Sequence, residues 1–398
     1  MDSSAHSDYV KVAFLAHDPK LEVKKSYAEM MEKQAVQDLV REKKGILILD
    51  LDHTLFQVTL RPITEEIQGF ETWSFQTELG HTGRLMEGKT YWFNLESMPK
   101  APPFFIHLRP GVFSFLKLAS SMFELYAYTQ GTSEYAKRIL GGIDPSGEFF
   151  GTPFRLIARE LDPSTGHTLP KNLSRVFPNE EGLVLIIDDR DDVWDKTASG
   201  NNLIKLTPFM YFPDKEREKL SADAYFRTRT DDLILQHLRD DQLMHLERLL
   251  SELHSELYFA NSSEPKSPSS LSLTAVLASH KCRLFEHIEF VKNDRVNGNV
   301  FKLAKVFGAS FVSLSEAGRS GRERVFIGLP GQARRGSDPE IIHPWFILYA
   351  ASTYSVPPAE LFSIQRIEHD NITNMWDCVP DPASGTAAEA DLLEDLLS

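Results

Sequence analysis

The residues best suited to chemistry are Asp50, Asp52 and Thr54, which directly follow the apolar run Ile46 to Leu49. Four consecutive apolar residues read as a buried strand. Two carboxylates at alternate positions have no place at its end unless a cation meets them, because a buried unpaired carboxylate either destabilises the fold or takes up a proton. A second apolar run, Leu183 to Ile187, ends the same way in Asp188 and Asp189. In an open parallel sheet ligands bind beyond the carboxyl ends of the strands, so Asp50, Asp52, Asp188 and Asp189 are expected to converge there as a metal site. An all-oxygen ligand set suits Mg²⁺. Asp50 is then the expected nucleophile toward phosphorus, forming an aspartyl-phosphate. Asp52 is expected to protonate the leaving oxygen and later to activate the hydrolytic water.

Two further groups fit this chemistry. Thr129 opens the segment Thr129-Gln-Gly131-Thr-Ser133, between the alternating run Phe123 to Tyr128 and a helical stretch from Glu134 to Leu140. A strand, a short hydroxyl-rich turn and a helix start bring hydroxyls and free backbone N–H groups together, which suits a phosphate. Lys171 would neutralise charge on the phosphoryl oxygens. Thr54 would fix the turn beside the bound substrate. Each residue also has a plain alternative: a turn or helix N-cap pair for Asp50 and Asp52, an N-cap for Thr129, a solvated surface charge for Lys171. A bare Asp-x-Asp-x-Thr arises by chance in roughly one chain of this length in ten. The weight therefore rests on the preceding apolar run and on the second acidic strand end.

The elements that must hold these groups follow from hydrophobic periodicity. Helical spacing of Tyr27, Met30, Met31, Ala35, Leu39 and Val40 predicts a helix across Lys24–Lys44 that delivers the chain to the first strand. Trp73 and Phe75, then Thr90 to Leu95, predict strands in an insertion near 60–100. A helix over Val112–Ala119, short strands over Phe154–Arg159 and Leu203–Leu206, and the two apolar runs complete an alternating pattern. That pattern predicts an α/β fold with a parallel sheet covered on both faces. Leucines at helical spacing up to Leu257 predict a helical extension or insertion over 211–258, and Ser/Pro-rich composition predicts a flexible linker over 259–271. A second domain is expected over 272–367. Its strands are expected at Lys281–Phe290, Ser310–Leu314 and Val325–Gly328, and its helices at Val300–Phe307 and from Ile342 on.

The bulk composition narrows the function classes. The 398 residues are 42% hydrophobic and 25% charged, as in an ordinary globular protein of two or three domains, and the net charge is −14. That charge disfavours direct nucleic-acid binding. With only Cys282 and Cys378, a disulfide framework or a cysteine zinc site is not expected, and a reducing compartment is favoured. No apolar stretch approaches the ~20 residues of a membrane span, and the start lacks the apolar core of a signal peptide.

Taken in order, DLDHTL, LRPGVFSFL, YAYTQGTSEYAKRIL, KNL and IIDDRDDVW resemble the Fcp-type phosphatases of the RNA polymerase II C-terminal domain, of the haloacid-dehalogenase superfamily. The resemblance covers about 45–205. It implies a haloacid-dehalogenase-like Rossmannoid sheet over 45–210 and Ser/Thr-phosphatase activity on the phosphorylated heptad tail. It also implies the roles given above to Asp50, Asp52, Thr129, Lys171, Asp188 and Asp189, and a nuclear location. Arg109 and Arg159 are candidate phosphate or peptide contacts, with a structural ion pair as the alternative for Arg109. The Gly308-Ala309 turn after a helix and Trp345 in a late helix resemble a small α/β BRCT domain, although Phe290-Val-Lys-Asn-Asp lacks the Ser/Thr-Gly with which such domains hold phosphopeptides. In the acidic tail, 368–398, Leu392, Leu393, Leu396 and Leu397 share one helical face among acids. The resemblance implies docking of that segment on transcription factor IIF; an unstructured acidic tail is the alternative. Two other function classes stay open on sequence: a non-catalytic scaffold of the transcription machinery, and a small-molecule phosphatase of the same superfamily.

Overall fold

A computed structural model describes residues 9–11, 22–60, 72–74, 85–88, 90–162, 164–173, 177, 181–195, 202–209, 211–212, 240–259, 271–291, 298–312, 323–328 and 340–364. Parts of the insertion, most of the expected helical extension, the linker 260–270 and the acidic tail lie outside these residues.

The first buried run forms β3 (Gly45–Leu49), reached through a short antiparallel pair, β1 (Tyr9–Lys11) and β2 (Glu22–Lys24), and helix α1 (Lys25–Arg41). Beyond it an inserted sheet contains β4 (Phe56–Thr59), β5 (Thr72–Ser74), β6 (Thr90–Phe93) and β7 (Phe104–Leu108). Its strand order is β4-β7-β6-β5. The chain then returns through α2 (Val112–Met122), β8 (Phe123–Tyr128), α3 (Ser133–Ile143), β9 (Leu156–Ile157), β10 (Val184–Asp188) and β11 (Leu203–Lys205).

The main sheet has the order β11-β10-β3-β8-β9. β3 runs parallel to β10, with Leu49 opposite Ile187, and parallel to β8, with Leu49 opposite Ala127. Ile46 to Leu49 and Val184 to Ile187 are wholly buried, as expected of strands covered on both faces. Because β8 follows β3 on one side and β10 lies on the other, the strand order reverses beside β3. That switch point is where open α/β sheets bind ligands.

Asp144, at the end of α3, fixes the loop toward β9. Its wholly buried carboxylate accepts hydrogen bonds from the N–H groups of Glu148, Phe149 and Phe150, at 2.7, 2.9 and 2.8 Å.

By contacts the chain divides into two compact units, Met1–Ile204 with Leu250–Leu277, and Lys205–Leu249 with Ala278–Ser398. In the first, the end of α4 (Gln242–Phe259) anchors at the entry of β3. There His254 Nε2 and Tyr258 Oη donate to the carbonyls of Lys43 and Lys44, at 2.6 and 2.7 Å. This is the end of β3 opposite Asp50.

The second unit holds β12 (Ile288–Val291), α6 (Gly298–Val306), β13 (Ser310–Val312), β14 (Glu323–Ile327), β15 (Ile341–Ile342) and α7 (Trp345–Thr353). All its strand pairs are parallel, in the order β13-β12-β14-β15. Its core includes Phe285, Phe290, Phe346 and Phe362. Two expected boundaries between helix and strand differ. Residues 281–283 end helix α5 (Leu273–Arg283) rather than opening a strand, because the buried pair Leu273 and Leu277 continues a helical period into Lys281. Similarly, Ile341–Ile342 is a strand and the late helix starts after Pro344. Gly308 has φ +86°, and a Cβ there would sit 1.9 Å from the Cys282 carbonyl oxygen, so only glycine fits this turn. Among the described residues no helix is long and apolar enough to cross a membrane.

Candidate active site

The turn after β3 aims the first acids. Asp50 N donates to Ile187 O at 2.9 Å, extending the ladder one residue past the strand. The chain then reverses through His53, whose φ is +61°, with His53 N bonded to Phe56 O and Leu55 N to Leu51 O. Arg109 braces this turn from beneath the surface. It is wholly buried, and its guanidinium donates to Thr54 O at 3.1 Å and His53 O at 3.4 Å. These bonds give it a place in the scaffold of the turn, where the sequence offered a phosphate or peptide contact or, as the alternative, a structural ion pair. Thr54 is also wholly buried and its hydroxyl has no hydrogen-bond partner. The turn is therefore held by the backbone and Arg109, not by the Thr54 side chain.

Lys171 joins the two acidic strand ends. Its Nζ donates to Asp50 Oδ1 at 2.5 Å and to Asp188 Oδ2 at 2.6 Å, and the residue is 2% exposed. Asp188 is tethered further by Trp194 Nε1 at 2.8 Å and by Arg190 N at 2.9 Å. Oxygens of Asp50, Asp188 and Asp189 lie within 4.8 Å of one another. Three carboxylates face one ammonium, so the cluster carries excess negative charge, and its electrostatics record this. Burial, then the Asp188 charge, push the Asp50 carboxyl well above the ordinary range, and Lys171 offsets only part of this. Burial and Asp188 raise Asp189 to about 7. Burial alone would lower Lys171, but Asp50 and Asp188 outweigh it and raise the ammonium above its ordinary value. An all-oxygen set short of positive charge fits a hard divalent cation.

Asp52, expected as a fourth metal ligand, is not in that cluster. Its Oδ1 instead accepts from Tyr135 Oη at 2.5 Å. Tyr135 packs against Phe93 and Phe104 of the inserted sheet, with ring centroids 6.1 and 5.9 Å away, so the insertion helps set the position of Asp52. Burial raises the Asp52 carboxyl and the Tyr135 hydrogen bond opposes that shift. A raised carboxyl keeps its proton longer, which a proton donor to a leaving group requires. Tyr135→Phe is therefore expected to raise Asp52 further. The alkaline limb of kcat/KM would move to higher pH while its maximum falls by about tenfold or more. A limb that stays at the wild-type pH would exclude Asp52 as the acid.

The phosphate loop differs from expectation in one atom. The Thr129 amide is already bonded to Ile157 O at 2.9 Å, which leaves only the hydroxyl for a ligand. That hydroxyl accepts from Gly131 N at 2.9 Å and keeps its own proton to donate. The N-cap of α3 is Thr132, whose Oγ1 accepts from Tyr135 N. A Cβ on Gly131 would lie 2.8 Å from the Tyr135 ring, so a side chain there would displace the partner of Asp52. Arg159 is exposed, and its amide bonds to Gly131 O at 2.9 Å, which puts it at the rim of the loop. Tyr135 and Trp194 had no role in the sequence reading. Their only signals were an aromatic in the first turn after the phosphate loop and another six residues past Asp188.

Residues 45–230 match the family described as NLI interacting factor-like phosphatase. An RNA polymerase II C-terminal domain phosphatase of Schizosaccharomyces pombe is 32% identical over 215 residues, 53% of this chain and 28% of the relative. RNA polymerase II C-terminal domain phosphatase-like 4 of Arabidopsis thaliana is 33% identical over 231 residues, 57% of this chain and 47% of the relative. The chain thus spans less than half the length of these relatives. The solved structure of Fcp1, an essential RNA polymerase II CTD phosphatase, aligns over 83% of this chain and 99% of its own, with a TM-score of 0.53 and 22% identity. That likeness bears out the expected α/β fold with a parallel sheet.

Proposed function

We propose that this chain is a Mg²⁺-dependent protein serine/threonine phosphatase that acts on the phosphorylated C-terminal heptad-repeat domain of RNA polymerase II. The observation that carries the reading is Lys171 buried between Asp50 and Asp188 at the ends of two parallel strands. An Asp50 oxygen attacks phosphorus and the bond from phosphorus to the serine oxygen breaks. Asp52 gives its proton to that oxygen. The Asp52 carboxylate then takes a proton from water, whose oxygen attacks the aspartyl-phosphate and releases Asp50 and inorganic phosphate. Lys171 and the Thr129 hydroxyl offset charge on the phosphoryl oxygens, and Arg159 at the rim contacts phosphate or peptide. Asp50, Asp188 and Asp189 would hold Mg²⁺, which supplies further positive charge at the phosphoryl group.

The relatives named for polymerase phosphatases support the substrate class. The test is a panel of heptad peptides, each phosphorylated at a single position, against a small aryl phosphate. The proposal expects peptide turnover at a higher kcat/KM than the aryl phosphate, lost on chelation and restored by Mg²⁺. Equal use of both substrates would favour a small-molecule enzyme, and turnover of neither would favour a scaffold.

The same reading places the protein in the nucleus and gives residues 272–367 the role of a BRCT domain. Its four-stranded parallel sheet and its Gly308 turn support that assignment. The acidic segment 386–398 is proposed to dock on transcription factor IIF through Leu392, Leu393, Leu396 and Leu397, since so short a helix needs a groove for its apolar face. Deleting 386–398 should abolish that binding and leave aryl-phosphate hydrolysis intact. Unchanged binding would assign the contact elsewhere.

A further inference from the structure

The rest of the Lys171 surroundings has no part in the steps above. Its Nζ lies 5.3 Å from the Trp194 ring centroid and 5.8 Å from that of Tyr128, within the range at which a ring face attracts a cation. The two rings meet edge to face, 5.3 Å apart at 71°, and both are buried. The Trp194 indole N–H donates to Asp188 Oδ2, the same oxygen that accepts from Lys171. Backbone bonds tie these parts into one unit. Lys171 N bonds to Val193 O and Asp195 N to Lys171 O, both at 2.8 Å, and Asn172 N bonds to Tyr128 Oη at 3.1 Å.

We propose that Trp194 and Tyr128 form an aromatic collar that positions Lys171, with the indole N–H fixing Asp188 at the same time. A lysine on a flexible four-carbon stem is a poor preorganised group unless its rotamers are held. The collar holds the stem before substrate arrives and keeps water from the ammonium, so that its charge acts in a dry site. Asp188 is tethered by Lys171, Trp194 and the Arg190 amide. Lys171 is thereby left to exchange its other bond, the one to Asp50, for a phosphoryl oxygen. Trp194 is a positioning residue in this scheme, since it acts through Lys171 and Asp188. The kinetic half of the inference rests on the phosphatase reading; the structural half does not.

The test compares the full chain with Trp194→Phe, which keeps a ring face and loses the N–H, and Trp194→Leu, which loses both. Tyr128→Leu gives a second route should Trp194→Leu fail to fold, as judged by thermal melting. One readout is kcat and KM per folded protein on a heptad phosphopeptide. The other is acetylation of Lys171 by acetic anhydride without metal, followed by mass spectrometry. The collar predicts a fall in kcat of about tenfold for Trp194→Phe and about 10²- to 10³-fold for Trp194→Leu, with KM near wild type. It also predicts that Lys171 stays protected in Trp194→Phe and labels measurably faster in Trp194→Leu than in wild type, though more slowly than the exposed Lys100. A merely structural role would lower the melting temperature but leave kcat per folded protein and Lys171 protection unchanged, and that result in a folded variant overturns the collar. If the wild type hydrolyses neither peptide nor aryl phosphate, the phosphatase reading fails and labelling alone decides: Lys171 exposed in Trp194→Leu upholds the collar, and Lys171 still protected overturns it.

Discussion

Asn in place of Asp50 is expected to remove turnover of phosphopeptide and aryl phosphate alike, by about 10⁴-fold or more, while making the metal-free protein more stable. The loss of activity follows from removing the nucleophile. The gain in stability follows from the balance of charge in the cluster. Carboxylate oxygens within 4.8 Å repel by about 3.5 kcal/mol per pair or more at an effective dielectric of ~20. On the same scale the contact of Lys171 with Asp50 at 2.5 Å attracts by roughly 6–7 kcal/mol. Repulsion from two neighbours therefore about cancels the ion pair, and burial decides the sign against the charged form, as the raised carboxyl of Asp50 records. Asparagine keeps an oxygen for Lys171 and carries no charge to bury.

The pH dependence has a defined direction. Asp50 and Asp189 titrate higher in the folded chain than in the unfolded one, Asp189 at about 7. The Asp189 contribution is thus fully present below the ordinary carboxylate pKa and is lost as pH rises through about 7, and the Asp50 contribution is lost in the same direction as pH rises. Melting temperatures of the chelated wild type should fall from pH 5 to pH 8, and the Asp50→Asn curve should be flatter and higher. A lower melting temperature for Asp50→Asn across that range would refute the charge argument, and surviving peptide turnover would refute the nucleophile.

How much of this could be read in the sequence depends on what kind of interaction sets each feature. Ile46 to Leu49 and Val184 to Ile187 were legible because burial on both faces is written in consecutive residues. Their neighbouring register then brings Asp50 and Asp188 together without further information. Lys171 was legible only from its place between the phosphate loop and the last acidic strand. The misread atoms are those whose partners compete over distance. Asp52 lies outside the acidic cluster, and its Oδ1 accepts from Tyr135, 83 positions later. The Thr129 amide is spent on Ile157, in a strand that the sequence places at Phe154–Arg159 without showing which strand it pairs with. Arg109 serves backbone carbonyls 55 and 56 positions away, a role that no local pattern announces. Residues 281–283 were misread because alternation across a helix end mimics a strand.

The same ion pair, broken from its other side, should behave in the opposite way. Lys171→Met nearly preserves volume and removes only the ammonium. It is expected to lower kcat by about 10³-fold, on the scale of removing an electrostatic stabiliser of the transition state. It is also expected to destabilise the metal-free protein by about 3–5 kcal/mol, because it leaves buried carboxylates without their cation. Asp50→Asn takes one anion from a cluster with too many; Lys171→Met takes the ammonium that bridges it. Mg²⁺ should therefore stabilise Lys171→Met more than it stabilises wild type, since added positive charge is worth most where the bridging cation is lost. Lys171→Arg should not restore activity. The planar guanidinium is wider than an ammonium seated between Asp50 and Asp188 at 2.5 and 2.6 Å, under two aromatic rings. The double variant Asp50→Asn with Lys171→Met gives the decisive comparison. If the two groups act as one unit, it should be more stable than Lys171→Met alone, with a coupling energy of about 1–3 kcal/mol, and no less active than the worse single variant. Additive losses in melting and turnover would mean that Lys171 works independently of the nucleophile, and its role at the phosphoryl group would have to be reassigned.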